Sequence, residues 1–210
     1  MKRRISAVFK QSIRELSFSP YVVSFLFALS ILISFYPSSK EFYAQERDKS
    51  TAEFVNFIED KMRFANTAAQ ILMPIITKDA VGFMQMLNMS ITTTISTHSL
   101  KAIYGNMHTI GGVRLGERPK QPKSRHNMPS GHSSMASCAV GFVIRRYGVN
   151  SAPKKLFALL LILIMIATMY ARVMLDMHTI SATIAGAILG IINAIIFVSP
   201  QKAHDSRSDS

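Results

Sequence analysis

The sequence predicts an all-α membrane protein, about six transmembrane helices packed in one bundle, and three observations carry that expectation. Hydrophobic residues fill 49% of the 210 positions and the mean hydropathy is +0.23, more than a soluble core of this size ordinarily needs. The apolar residues are gathered into long runs. The basic excess, 24 Lys and Arg against 12 Asp and Glu, is scattered between those runs instead of forming the polar basic face of a nucleic-acid binder.

Taken in order, the first run is PYVVSFLFALSILISFY, Pro20 to Tyr36. A charged start, MKRRISAVFKQSIRE, precedes it without a small-residue cleavage site after it, so it reads as an uncleaved first helix behind a basic terminus, residues 1–17. Two further runs are equally plain, Leu156 to Tyr170 and Ile180 to Val198. Each approaches the roughly 20 residues that cross about 30 Å of hydrocarbon. Three weaker runs complete the six. Ala65 to Thr77 contains Pro74, Val81 to Thr97 carries polar residues, and Ser133 to Ile144 is short. Polar positions are tolerable in a bundle where they face other helices. Between the first two spans, Ser50 with Glu53 forms a capping-box pattern ahead of Phe54, Phe57 and Ile58, a candidate amphipathic helix in the connector 38–64. The tail 199–210 is polar and reads as flexible. Residues 1–210 form a single domain on this reading, without an internal repeat. Cys138, the single cysteine, stands in an apolar run and reads as packing.

Lys2, Arg3, Arg4, Lys10 and Arg14 ahead of the first helix place that end in the cytoplasm by the positive-inside tendency. Threading six spans from there puts residues 37–64, 100–132 and 171–179 outside. Lys101, Arg114, Arg118, Lys120, Lys123 and Arg125 then fall on the outer side. Cations kept on that side suit the binding of something anionic.

Two histidine-bearing stretches meet on the same outer face, Pro129-Ser130-Gly131-His132 at the start of the fourth helix, and Arg172 with His178 between the fifth and sixth. Proline and glycine allow a tight turn whose N–H groups face an anion, with a helix N-terminus behind them. Phosphoryl transfer needs cations on the equatorial oxygens, an in-line nucleophile and an acid for the leaving oxygen. Two imidazoles and several Arg and Lys meet those needs: one imidazole attacks phosphorus, and the other donates a proton and then activates water. His98, His108, His126 and His204 are isolated and the nearest acids are Glu117 and Asp176, so no cluster has metal-ligand spacing and neither metal nor cofactor is expected. Tyr104, Asn106, His108 and His126 receive no role.

These residues resemble the type 2 phosphatidic acid phosphatases, a family that also includes undecaprenyl pyrophosphate phosphatases and vanadium haloperoxidases. The family pattern is a Lys and an Arg-Pro pair, then Pro-Ser-Gly-His, then Ser-Arg, five residues, His, three residues and Asp. Arg118-Pro119, Pro129 to His132, and Arg172 with His178 after five residues match it in order. Within the family, RLGERP, NMPSGHSSM and MLDMHTI are most similar to bacterial lipid A 1-phosphatases. The resemblance implies that His178 is the nucleophile, His132 the general acid, Arg118 and Arg172 the phosphate ligands, and Ser130 with the Gly131 N–H the rest of the cradle. Two positions depart from the pattern. Gly111 stands where the family lysine is expected, leaving Lys101, or else Arg114, to supply that cation. Ala182 stands in place of the family aspartate, and Asp176 is the nearest carboxylate, either orienting His178 or pairing with Arg172. Ala182, Gly186 and Gly190 form a small-residue stripe suited to close helix packing.

The expectation is a metal-independent phosphatase of the bacterial inner membrane, its site open to the periplasm, removing the 1-phosphate of lipid A or acting on another phosphorylated membrane lipid. Its partners are then the lipid substrate and the bilayer, not nucleic acid. Undecaprenyl pyrophosphate is the alternative substrate, and a protein that binds lipid phosphate without turning it over is the alternative of another class.

Overall fold

The computed structural model describes residues 2–36, 49–109, 112–121 and 123–201. Position 111, the tail beyond 201, most of the connector ahead of residue 49, and the side chain of Ser50 lie outside the described residues. Among those described, all regular secondary structure is helical, with only two isolated bridges, His108 with Arg114 and Arg118 with Gln121.

Among the described residues eight α-helices follow one another: α1 (Lys2–Arg14), α2 (Pro20–Ser34), α3 (Lys49–Phe57), α4 (Arg63–Ile76), α5 (Ala80–Tyr104), α6 (Gly131–Tyr147), α7 (Ala152–Met174) and α8 (Ile180–Phe197). A π-helical turn, Ile58–Met62, joins α3 to α4. Helix starts are set by side-chain caps, as hydroxyl and carboxylate oxygens take up N–H groups left over in a first turn. Ser19, Asp79, Ser130 and Thr179 cap α2, α5, α6 and α8 in this way. Helix α1 has a basic and apolar composition and ends at Arg14, so the N-terminal segment is an ordered element where the sequence was read only as a charged end. Helices α5 and α7 extend beyond their apolar runs at both ends, because the flanking residues are helix formers that hydropathy alone does not mark.

Helices α7 and α8 are long and apolar enough to cross a bilayer, and α2 is a shorter apolar helix. Helix α6 is the centre of the assembly and packs on α4, α5, α7 and α8, while α2 lies against α8 and α1 against α5. The α6–α8 contact is close because it is built on glycine. A Cβ on Gly190 would stand 2.2 Å from the Ser134 carbonyl oxygen, and one on Gly186 would stand 2.4 Å from that of Ser130. The small-residue stripe is thus the surface that seats the Pro-Ser-Gly-His turn. Cys138 is fully buried in the same core with Met89 and Phe142.

At the opposite end of α6, Arg146 is only 4% exposed and forks onto Asp79 at 2.6 and 2.8 Å, with Glu15 at 3.6 Å. It also donates to the Ser199 carbonyl oxygen at 3.1 Å. One guanidinium thereby ties α1, the α4–α5 turn and the end of α8 to the central helix.

The connector helix packs differently from its sequence reading. Phe54 and Phe57 are exposed, and Val55 and Ile58 are the residues buried, against Ala171 of α7. Val55 and Ile58, three apart on one helical face, turn toward α7, and the π turn follows at Ile58–Met62.

Candidate active site

His178 lies in the short loop between α7 and α8. Its backbone N–H donates to the Arg172 carbonyl oxygen at 3.1 Å, as that of Met177 does at 3.2 Å, so the loop folds back over the last turn of α7. Asp176 has φ +54, a left-handed conformation that makes the reversal possible. The imidazole is 2% exposed and its Nδ1 stands 2.7 Å from the backbone carbonyl oxygen of Asn127. A carbonyl can only accept, so Nδ1 carries the hydrogen and Nε2 keeps its lone pair. Burial, followed by the positive charges of Lys101, Arg172 and Arg118, pushes the His178 imidazole well below its usual range, against the Asn127 bond that favours the charged form. The ring is therefore neutral at neutral pH and its Nε2 is available as a nucleophile.

Asn127 does more than present its carbonyl. Its Oδ1 accepts from the Thr179 N–H at 2.9 Å, and its Nδ2 donates to the Leu115 carbonyl oxygen at 3.1 Å and to Thr179 Oγ1 at 3.2 Å. Thr179 in turn caps α8. One side chain thus locks the loop before α6 to the start of α8, with His178 between them.

A cavity of about 510 Å³ opens beside His178. Lys101, Arg118, Gly131, His132 and Arg172 line it, together with Arg63, His98 and His126. The cationic side chains come from α4, α5, the 112–127 loop and α7, so the site exists only in the folded bundle. Lys101 reaches the His126 carbonyl oxygen at 2.5 Å. Arg118 touches Gln121 Oε1 at 3.3 Å, while its Nε–H, like those of Arg172 and Arg63, is buried without a hydrogen-bond partner among the described residues. Buried donors are ordinarily paired. Three orphaned guanidinium N–H groups around one cavity fit an anion with several oxygens.

Several candidate residues have other placements. Arg114 does not line the cavity; its Nη2 donates to the Ser124 carbonyl oxygen at 3.2 Å and supports the loop. Ser130 is buried, caps α6 by accepting from the Ser133 N–H at 3.4 Å, and donates its own N–H to the Ala182 carbonyl oxygen at 2.9 Å. Asp176 forms an ion pair with Lys120 at 2.8 Å. Position 182 is fully buried in an apolar cluster with Tyr104, Leu115 and Met128.

Residues 82–204 match the PAP2 superfamily. The chain belongs to that family. Over nearly its whole length it is similar to the lipid A 1-phosphatase of Helicobacter pylori, in strain 26695 at 39% identity over 198 residues (93% of this chain, 97% of the relative). In strain J99 the identity is 40% over 197 residues (92% and 96%). No solved structure matches. As a PAP2 protein with phosphatase relatives of this extent, the chain is a hydrolase of the phosphatase class.

Four residues of this PAP2 chain contribute to the site without a role having been expected from sequence. Asn127 adjoins the Pro-Ser-Gly-His stretch, yet nothing in its spacing points to His178. Glu59 and Arg63 come from the connector and the start of α4, ahead of the matched region, and their single signal is an acid and a base at i and i+4. His126, which received no role, lines the cavity and holds Lys101 through its carbonyl oxygen.

Proposed function

We propose that this protein is a metal-independent lipid phosphatase that removes the 1-phosphate of lipid A through a phosphohistidine at His178. The observation that carries the reading is the buried His178, its Nδ1 tied to the Asn127 carbonyl, beside a cavity lined by Lys101, Arg118, Arg172 and His132. Its Nε2 attacks phosphorus while the bond from phosphorus to the sugar oxygen breaks, and His132, entering the step as imidazolium beside the anionic phosphate, gives its proton to that oxygen and is left neutral. Water, deprotonated by His132, then attacks the phosphohistidine, releases phosphate and restores His178. Arg118 and Arg172 hold the oxygens on which charge gathers, with Lys101 as the third cation and the first-turn N–H of Gly131 behind them.

The lipid substrate is drawn from the likeness to the lipid A 1-phosphatases and from the cavity's mixture of cations with Phe64, Met135 and Ala136, which suits an amphiphile. The membrane reading takes α2, α4, α5, α6, α7 and α8 as six spans of a single inner-membrane domain. Large apolar side chains stand exposed on five of these, among them Phe25, Ile75, Ile95, Leu163 and Ile184, and on none of α6, the central helix. The site residues gather at one end of the bundle and the Arg146 clasp at the other. With the basic α1 at the clasp end, the positive-inside tendency favours a cytoplasmic clasp and a periplasmic site.

The test is phosphate release by the purified, detergent-solubilised protein in EDTA, with lipid A and undecaprenyl pyrophosphate offered separately and His178→Ala as control. Release from lipid A that requires His178 is the expected result. Release from the pyrophosphate alone would replace the substrate, and release from neither would favour a lipid-phosphate binding protein.

A further inference from the structure

The mechanism leaves unused the pair brought in from ahead of the family region. Glu59 sits on the π turn and its Oε1 accepts from Arg63 Nη1 and from Arg172 Nη1, each at 2.6 Å. Arg63 Nη1 also lies 3.0 Å from His132 Nε2, and Glu59 Oε1 lies 3.9 Å from the same nitrogen. The Arg63 guanidinium rests over the Phe64 ring, 4.6 Å from its centroid, so it is restrained from a third side. Its Nε–H is buried without a partner among the described residues, as is that of Arg172, and both arginines line the cavity.

One carboxylate oxygen thus clamps two guanidinium groups by their Nη1 atoms, and both arginines line the same cavity with a buried Nε–H that has no partner among the described residues. This is the arrangement by which an acid orients cations for a second anion, and a fixed fork loses less freedom on binding than a free side chain. We propose that Arg63 is a further ligand of the substrate phosphate and that Glu59 is the positioning residue that holds Arg63 and Arg172 for it. The inference rests on the phosphatase reading. Its contact with His132 puts Arg63 on the side where the leaving oxygen receives its proton.

Direct binding of inorganic phosphate and of orthovanadate to the purified full-length protein tests this without reference to the lipid. Arg63→Gln is expected to weaken both about tenfold or more, the scale of a lost charge-assisted hydrogen bond, and Arg63→Lys, which keeps the charge without the fork, to fall between. Glu59→Gln is expected to weaken vanadate and lower kcat, with Glu59→Asp restoring part of each. Unchanged binding in both Arg63 variants would overturn the ligand role. Tighter phosphate binding in Glu59→Gln would overturn the positioning role, because Glu59 would then be a competitor for Arg172. Where Arg63→Gln fails to fold, Arg63→Lys and Glu59→Asp carry the test. A wild-type protein that binds neither ion and releases phosphate from no lipid would instead remove the phosphatase reading itself.

Discussion

The Nδ1 of His178 is held 2.7 Å from the main-chain carbonyl of Asn127, and the position where the family pattern has an aspartate is a buried alanine packed among apolar side chains. A carbonyl fixes the tautomer and the ring plane as an aspartate would, but without a negative charge to stabilise the imidazolium. This choice fits the nucleophilic role proposed for His178, which requires the ring to stay neutral among three cations.

Asn127→Ala keeps that carbonyl and removes three side-chain hydrogen bonds. The loop before α6 then loses its register with Thr179, and the ring of His178 loses its orientation. The expected result is a fall in kcat of about ten- to a hundredfold, at about 1–1.5 kcal/mol for each of one or two effective bonds, with KM changed far less. Steady-state kinetics on the lipid substrate check it.

The pH dependence follows from the downward displacement of His178. A base whose pKa is lowered remains unprotonated as pH falls past the ordinary imidazole value of about 6.5, so the acid limb of kcat/KM lies below that value. Removing a neighbouring positive charge relaxes the displacement. Lys101→Met is therefore expected to move the acid limb toward higher pH as well as to raise KM, and a pH profile of both proteins measures the sign.

Gly186→Ala places a methyl group 2.4 Å from the Ser130 carbonyl oxygen, a main-chain atom that cannot swing aside. Helix α8 and the Pro-Ser-Gly-His turn must separate, and the Ser130 N–H bond to Ala182 lengthens with them. Activity is expected to fall by more than tenfold, with a destabilisation of about 1–3 kcal/mol from overpacking. Thermal unfolding and turnover measured on the same preparation check both.

The Arg146 clasp governs stability at the far end from the chemistry. Burial raises the Asp79 carboxyl, but its hydrogen bonds and charge contact with Arg146 and its bond from the Gly82 N–H outweigh that and leave it below the usual carboxylate range. A depressed carboxylate stabilises the fold above its unfolded pKa of about 3.9 and loses that contribution as pH falls through the folded value. Asp79→Asn leaves buried Arg146 with only the more distant Glu15 as counter-charge and is expected to cost about 2–4 kcal/mol, to flatten the acid limb of stability, and to leave the kcat of the folded fraction unchanged. Melting curves across acid pH, with turnover per folded molecule, test this.

The helical class and most of the site were legible because they rest on local signals. Apolar runs mark α2, α7 and α8, and the order Arg118-Pro119, Pro-Ser-Gly-His and Arg172 with His178 marks the cavity. What stayed hidden depends on tertiary contact. Asn127 holds His178 through a backbone carbonyl and locks the loop to Thr179 through a side chain whose partners are distant in sequence, so no local motif could point to it. Glu59 stands on a π turn that no local signal in that segment marks, and Val55 in place of Phe54 and Phe57 is the buried residue of the helix before it. The spacing of Arg114 could not show that loop geometry commits it to Ser124. The N-terminal α1 was passed over because its apolar positions are interleaved with five cations.

The central claim is that His178 itself carries the phosphoryl group. Rapid acid-free quenching during turnover of lipid A, followed by mass spectrometry of the peptide that contains residue 178, tests it most directly. The expected result is phosphate on His178 in the wild type, and none with no turnover in His178→Ala. Sustained phosphate release by His178→Ala, with no phosphohistidine in any variant, would contradict the mechanism.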